Sequence, residues 1–202
     1  MGAVISSDGT IDRELTIRIQ KASGAFKQLS CIWNNRNIHT ATKIRIYKSA
    51  VVTILIYGSE TWTTTKLQMK RFEVFHQRCL RRILKIRWQQ HIRNEDILQK
   101  AQITTMEIII ASMRLRWYGH VVRMPDERLP KILLDTKPNY GKRKRGRPRK
   151  TWESCVKEDA AIFTGIPDIT IEQAREKAGD REHWREMIRH KRVFVGAGHS
   201  ND

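Results

Sequence analysis

Apolar residues return every three or four positions at Ile11, Leu15, Ile19, Ala22, Phe26 and Leu29, which places them on one face of an α-helix rather than along a strand. Asp12 stands where such a helix is capped, shortly after a Ser7-Asp8-Gly9 turn. A second helix is predicted from about Thr40. The apolar character of its second half, Ala50 to Tyr57, marks the centre of a core, and Gly58 ends it. In a third helix, from Lys66 to Arg87, Phe72, Phe75, Cys79, Ile83 and Ile86 share one side, while Arg71, Arg78, Arg82 and Lys85 gather on another.

The segment from Asn94 to Arg123 reads as a short helix, a turn at Gln102 to Thr104, and a longer helix with apolar positions at Ile109, Met113, Trp117 and Val121. This is helix-turn-helix spacing over 94–123, and Arg114, Arg116 and Arg123 would then lie on a groove-reading helix. An ordinary αα-hairpin has the same pattern, and nothing in the turn separates the two. Pro125 and Pro130 break the chain, and 135–147 reads as a basic linker. Beyond it, 148–191 forms a small helical subdomain opened by Pro148, with later helices capped by Thr170 and Asp180 and a core built from Trp152, Phe163 and Trp184. Residues 192–202 are expected to be a disordered tail. Residues 1–10 form a short extended segment with no neighbouring strand, an edge that natural domains usually cover. The fold class is mainly α: a helical bundle over 11–134, the basic linker, and the C-terminal helices.

Charge changes this picture most. The 39 Lys and Arg outnumber 21 Asp and Glu among 202 residues, for a formal net charge of +18 and a pI near 10.3. Seven of the basic residues lie between Lys142 and Lys150, yet removing them leaves +11, so basicity belongs to the whole chain. From Lys66 to Arg87 there are eight basic residues and one acid, Glu73. Uncompensated charge on one helix repels itself unless a polyanion lies along it, so DNA or RNA is the expected partner. No apolar run approaches the ~20 residues of a spanning helix, and no membrane partner is expected.

Catalytic constellations do not emerge. The three cysteines, Cys31, Cys79 and Cys155, are odd in number and far apart, and are expected to be buried reduced thiols. His76 and Cys79 supply two ligands where a structural zinc site needs four. The chain has no Asp-Asp pair, no HExxH, no GxSxG and no phosphate-binding GxxxxGK[ST] loop. It is therefore expected to be no enzyme, with no metal, no cofactor and no small-molecule substrate. The stretch GKRKRGRPRKTW does carry a mechanism. Arg145, Gly146, Arg147 and Pro148, followed by Arg149, resemble the AT-hook: glycine allows close approach to a minor-groove floor, proline holds an extended path, and the arginines lie along a narrow A·T groove. Short basic peptides of this kind also serve as nuclear import signals.

The ordered motifs VISSDGTIDRELTIRI, TKIRIYKSAVVTILIYGSETWT, RCLRRILKI, RLRWYGHVVRM, GRPRKTWESCV and DREHWREMI resemble the C-terminal part of endonuclease–reverse transcriptase proteins of non-LTR, LINE-type retrotransposons, over about residues 3 to 190. The resemblance implies that 1–10 is the remnant of a hairpin near the primer grip, that 11–134 is a thumb-like region, and that a C-terminal nucleic-acid-binding region follows. It also implies that the palm and its catalytic acids lie outside this sequence, so that a separately encoded palm domain is a further partner it admits. The cysteines of the zinc knuckle found in related elements are missing. On this reading Arg71, Arg78, Arg82 and Lys85 contact template–primer phosphates, while Arg145 and Arg147 grip DNA or RNA, in the nucleus or a cytoplasmic ribonucleoprotein. Two alternatives stay open: a stand-alone nuclear DNA-binding protein using the hook, and a relic reading frame without selected function.

Overall fold

The computed structural model describes residues 11–136 and 150–194, with side chains for all but 191–194. Residues 1–10, most of the basic linker with Arg145 to Arg149, and residues 195–202 lie outside the described residues. Every regular element among the described residues is helical, so the protein is mainly α. Helix α1 (Asp12–Gln28) is followed by α2 (Ser30–Asn34). Helix α3 (Thr40–Ile46) continues through a π-helical turn (Tyr47–Val52) into α4 (Thr53–Leu55). Then come α5 (Lys66–Ile83), α6 (Asn94–Ala101), α7 (Met106–Val122) and α8 (Leu129–Asp135). Helices α9 (Trp152–Thr164), α10 (Ile171–Gly179) and α11 (Arg181–Phe194) complete the chain.

Local chemistry explains most of the boundaries. Gly58 ends the second helical run with φ +78, a left-handed conformation that costs glycine little. Thr65 opens α5 with a capping box: its hydroxyl accepts the Gln68 N–H, and the Gln68 side chain accepts the Thr65 N–H. Thr151 and Thr170 cap α9 and α10 in the same way, with Ser154 and Gln173 as their partners. The Asp180 carboxylate accepts from the Glu182 and His183 amides at the start of α11. Asp12 does not cap α1 but is its first residue, and its carboxylate accepts instead from Gln68 of α5 at 3.0 Å. Pro130 does not break the chain; it sits in the first turn of α8, where its missing N–H has no partner to lose. Helix α11 runs to Phe194, into the expected tail.

Helix α7 organises the interior. Met106, Ile109 and Ile110 join the cluster formed with Leu15 and Ala22 of α1, Ile44 of α3, and Phe72, Phe75 and Leu80 of α5. Ile108, Ala111, Leu115 and Tyr118 join a second cluster with Val156, Phe163, Ile169, Ala174, Trp184 and Ile188. Two expectations are corrected by this arrangement. The C-terminal helices do not close a core of their own, because their apolar faces are completed by α7. The hairpin of α6 and α7 is not a helix-turn-helix presenting a reading helix, since α7 is apolar on both sides and buried between the two clusters.

Polar groups inside the fold are tied to α7 as well. The buried Arg114 guanidinium lies 2.7 Å from the Asp159 carboxylate of α9 and donates to the Trp62 carbonyl at 2.7 Å. The Trp152 indole N–H donates to the Glu60 carbonyl of the same connecting segment at 2.8 Å, and Trp62 stacks on Phe72 at 5.5 Å. At the C-terminal end of α7, the Lys131 ammonium donates to the Val122 carbonyl, and Arg123 reaches the Ala178 carbonyl of α10. Gly119, in the middle of α7, is where the Trp184 indole packs: a Cβ there would lie 2.5 Å from Nε1, whose N–H donates to the Leu115 carbonyl.

Gly119→Ala is therefore expected to destabilise by about 1–3 kcal/mol despite the ~1 kcal/mol gain in helix propensity. Urea unfolding showing an unchanged midpoint would remove this packing constraint. Asp159→Ala leaves Arg114 buried without its counter-charge and is expected to cost about 3–5 kcal/mol, whereas Arg114→Met combined with Asp159→Leu costs far less. Equal losses in the single and double variants would contradict that account.

Candidate nucleic-acid interface

Helix α5 buries Gln68, Phe72, Phe75, His76, Cys79, Leu80 and Ile83, and this fixes what faces outward. Arg71, Arg78 and Arg82 are exposed. Their spacings of seven and four residues align them in one stripe, about 16 Å long at 1.5 Å per residue. Leu67 and Val74, 74% and 51% exposed, stand among them on the same side.

The single acid of α5 does not neutralise this stripe. Glu73 turns inward, where one carboxylate oxygen accepts the Met106 N–H at the start of α7 at 2.9 Å and the other accepts from Gln77 at 3.1 Å. There it complements a helix N-terminus. Arg78 and Arg82 have no carboxylate within ion-pair distance among the described residues. Arg71 reaches Asp12 at 3.4 Å and the Thr16 hydroxyl at 2.9 Å. Both partners of that ion pair are about half exposed, and such pairs contribute only about 0–1 kcal/mol, so a phosphate can displace Asp12.

Lys85 lies past the end of α5, not on it. The Ile86 N–H donates to Arg81 and the Lys85 N–H to Arg82, closing a Schellman motif with Lys85 at φ +57. Glycine usually holds that position, and its absence is why the helical pattern reads on to Arg87. The side chain is exposed and extends the basic face beyond the helix. Arg81 faces the following loop instead, donating to the Ile92 carbonyl at 2.8 Å and the Asn94 side chain at 3.0 Å.

Two sites expected on α7 fare differently. Arg114 is corrected: 2% exposed and held by Asp159 and Trp62, it is an interior tie with no access to a phosphate. Arg116 is exposed on α7, without an ion-pair partner among the described residues. Arg145, Gly146, Arg147, Pro148 and Arg149 lie outside the described residues.

Beneath the basic face, His76 and Cys79 are core residues. The His76 Nδ1 lies 2.8 Å from the Tyr47 hydroxyl. Burial pushes the imidazole down to about 4 and the Cys79 thiol up to about 12, so both stay neutral at pH 7. A neutral thiol is a poor metal ligand or nucleophile. Cys155 is buried too, but Cys31 is exposed, correcting the expectation of three buried thiols. No three His, Cys, Asp or Glu side chains converge as a metal set among the described residues, and no described helix is long and apolar enough to cross a membrane.

The site is thus a cationic ridge on a helical scaffold. The chain is similar to a transposon-derived protein of Caenorhabditis elegans that is itself named as uncharacterized: the two are 27% identical over 195 residues, 94% of this chain and 68% of the relative. No family model and no solved structure matches the chain.

The buried imidazole gives this region a pH signature. Its folded value near 4 lies below the unfolded value of about 6.5, so its contribution is complete above pH 6.5 and is lost as pH falls toward 4. From pH 7 to 5 the loss is about 2 kcal/mol. Asp159, raised to about 6 by burial against the opposing pull of Arg114, has the opposite trend: its contribution is present below about 3.8 and lost as pH rises through 6. The diagnostic quantity is therefore parent minus His76→Gln in denaturant unfolding at both pH values. An equal pH dependence in the two proteins would rule out a buried neutral His76.

Proposed function

We propose that this chain is a nucleic-acid-binding part of a retrotransposon reverse transcriptase, corresponding to the thumb and C-terminal region beyond the palm. The order of its sequence motifs and its transposon-derived relative support that origin. The observation that carries the binding role is the stripe on α5, where Arg78 and Arg82 face solvent without a carboxylate partner among the described residues and the one acid of the helix, Glu73, is turned to α7. Such a row follows a phosphate backbone rather than reading base edges. In this reading the template–primer duplex lies along α5 against Arg71, Arg78, Arg82 and Lys85, with Arg116 a further contact and Arg145 to Arg149 gripping a second stretch of DNA or RNA. Phosphoryl transfer belongs to a palm supplied elsewhere, and this chain positions the nucleic acid.

Replacing Arg78 and Arg82 together by Ala is expected to weaken binding of unrelated duplex sequences alike and to reduce the slope of log K against log salt by about 2. An unchanged slope would sink the backbone-tracking role. In the same titrations, loss of an A·T preference on Arg147→Ala would favour the hook-bearing DNA-binding protein. Primer extension by the purified chain with Mg²⁺ would overturn the non-catalytic assignment.

A further inference from the structure

The loop after α5 exposes a side chain that folding normally covers. Trp88 is 74% exposed, although the loop buries part of Ile86 and Ile92 on either side of it against the core. The loop is held by its own hydrogen bonds. Arg81 binds the Ile92 carbonyl and Asn94, the Arg87 N–H donates to the Gln90 side chain at 3.0 Å, and the His91 N–H donates to the Trp88 carbonyl at 3.1 Å. The His91 ring stands edge-on to the indole, with centroids 6.4 Å apart at 86°. Trp88 is therefore presented by an anchored turn.

Its surroundings specify the chemistry of an occupant. Arg82, Lys85, Arg87 and His91 are all exposed around it in sequence, and no Asp or Glu occurs between Glu73 and Glu95. A flat aromatic face within an acid-free cationic stretch fits a ligand that is itself flat and aromatic and carries anions on both sides. A second copy of this chain would bring the same cations against themselves. We propose that Trp88 is a stacking platform for an unpaired base of a nucleic acid whose duplex portion lies along α5. Arg87 and Lys85 hold the phosphates flanking that base. This rests on the nucleic-acid reading above and adds a base-dependent site at the end of the stripe.

The test titrates the full chain, at fixed moderate salt, with a blunt duplex, the same duplex carrying a short single-stranded extension, and that duplex with the extension made abasic. The parent is expected to bind the extended duplex about five- to a hundred-fold more tightly than its abasic counterpart. Trp88→Ala abolishes that preference while leaving blunt-duplex affinity and thermal unfolding unchanged, and Trp88→Phe keeps most of it. Equal binding of the extended and abasic probes by the parent refutes the platform and needs no variant to be folded. A preference that survives Trp88→Ala also refutes it. So does sedimentation showing a parent dimer that Trp88→Ala dissociates without a change in probe preference, which assigns the indole to a second copy. Binding of no probe by the parent refutes the nucleic-acid function itself, an outcome distinct from binding without base dependence.

Discussion

The ion pair between Arg114 and Asp159 is the constraint around which the helices are arranged. A guanidinium at the centre of α7 is too costly to leave in an apolar interior without a counter-charge and acceptors, so α9 and the segment at Trp62 must both come to it. Once they do, Trp62 lies on Phe72, Trp152 reaches the Glu60 carbonyl, and α7 is enclosed by both apolar clusters. The pieces SETWT, RLRWYG and KTWESCV, far apart in the chain, meet at this one place. Apolar burial supplies most of the driving force, but it is non-directional. The buried charge is what selects one arrangement of α9 against α7.

The same economy of polar groups shapes the surface. Lys43 is buried against the Trp33 and Asn35 carbonyls and Lys131 against the end of α7, while the half-buried Glu73 accepts from the N–H at its start. Glu14 pairs with Arg18 at 2.6 Å inside α1, whose guanidinium lies over the Tyr57 ring. An acid drawn inward to complete a helix terminus no longer neutralises an arginine outside. The cationic ridge of α5 is thus partly a product of how the interior is satisfied, as well as of composition. With a net charge of +18, self-repulsion opposes the compact state, and a bound polyanion would relieve it.

Periodicity alone determined a good deal. The mainly α class, the amphipathic faces of α1 and α5, the stop at Gly58 and the caps at Thr170 and Asp180 are local, since a 3.6-residue repeat and a hydroxyl or carboxylate at a helix start act through neighbours in the chain. The outward direction of Arg71, Arg78 and Arg82 was legible for the same reason. Where local signals were absent, boundaries shifted: lysine in a left-handed cap carried the expected helix past Ile83, and Pro130, in the first turn of α8, looked like a break.

Tertiary structure alone decided which cations serve the interior and which face water. Arg114 and Arg116 are two residues apart on one helix, yet one is buried and paired while the other is exposed. Their difference depends on Asp159, 45 residues further along the chain. The sequence carries the number of charges and their spacing, whereas the sharing of α7 between two cores, the inward turn of Glu73 and the exposure of Trp88 are set by contacts between distant segments. Hydrophobic pattern says that a face will be covered, and only the packed chain says by what.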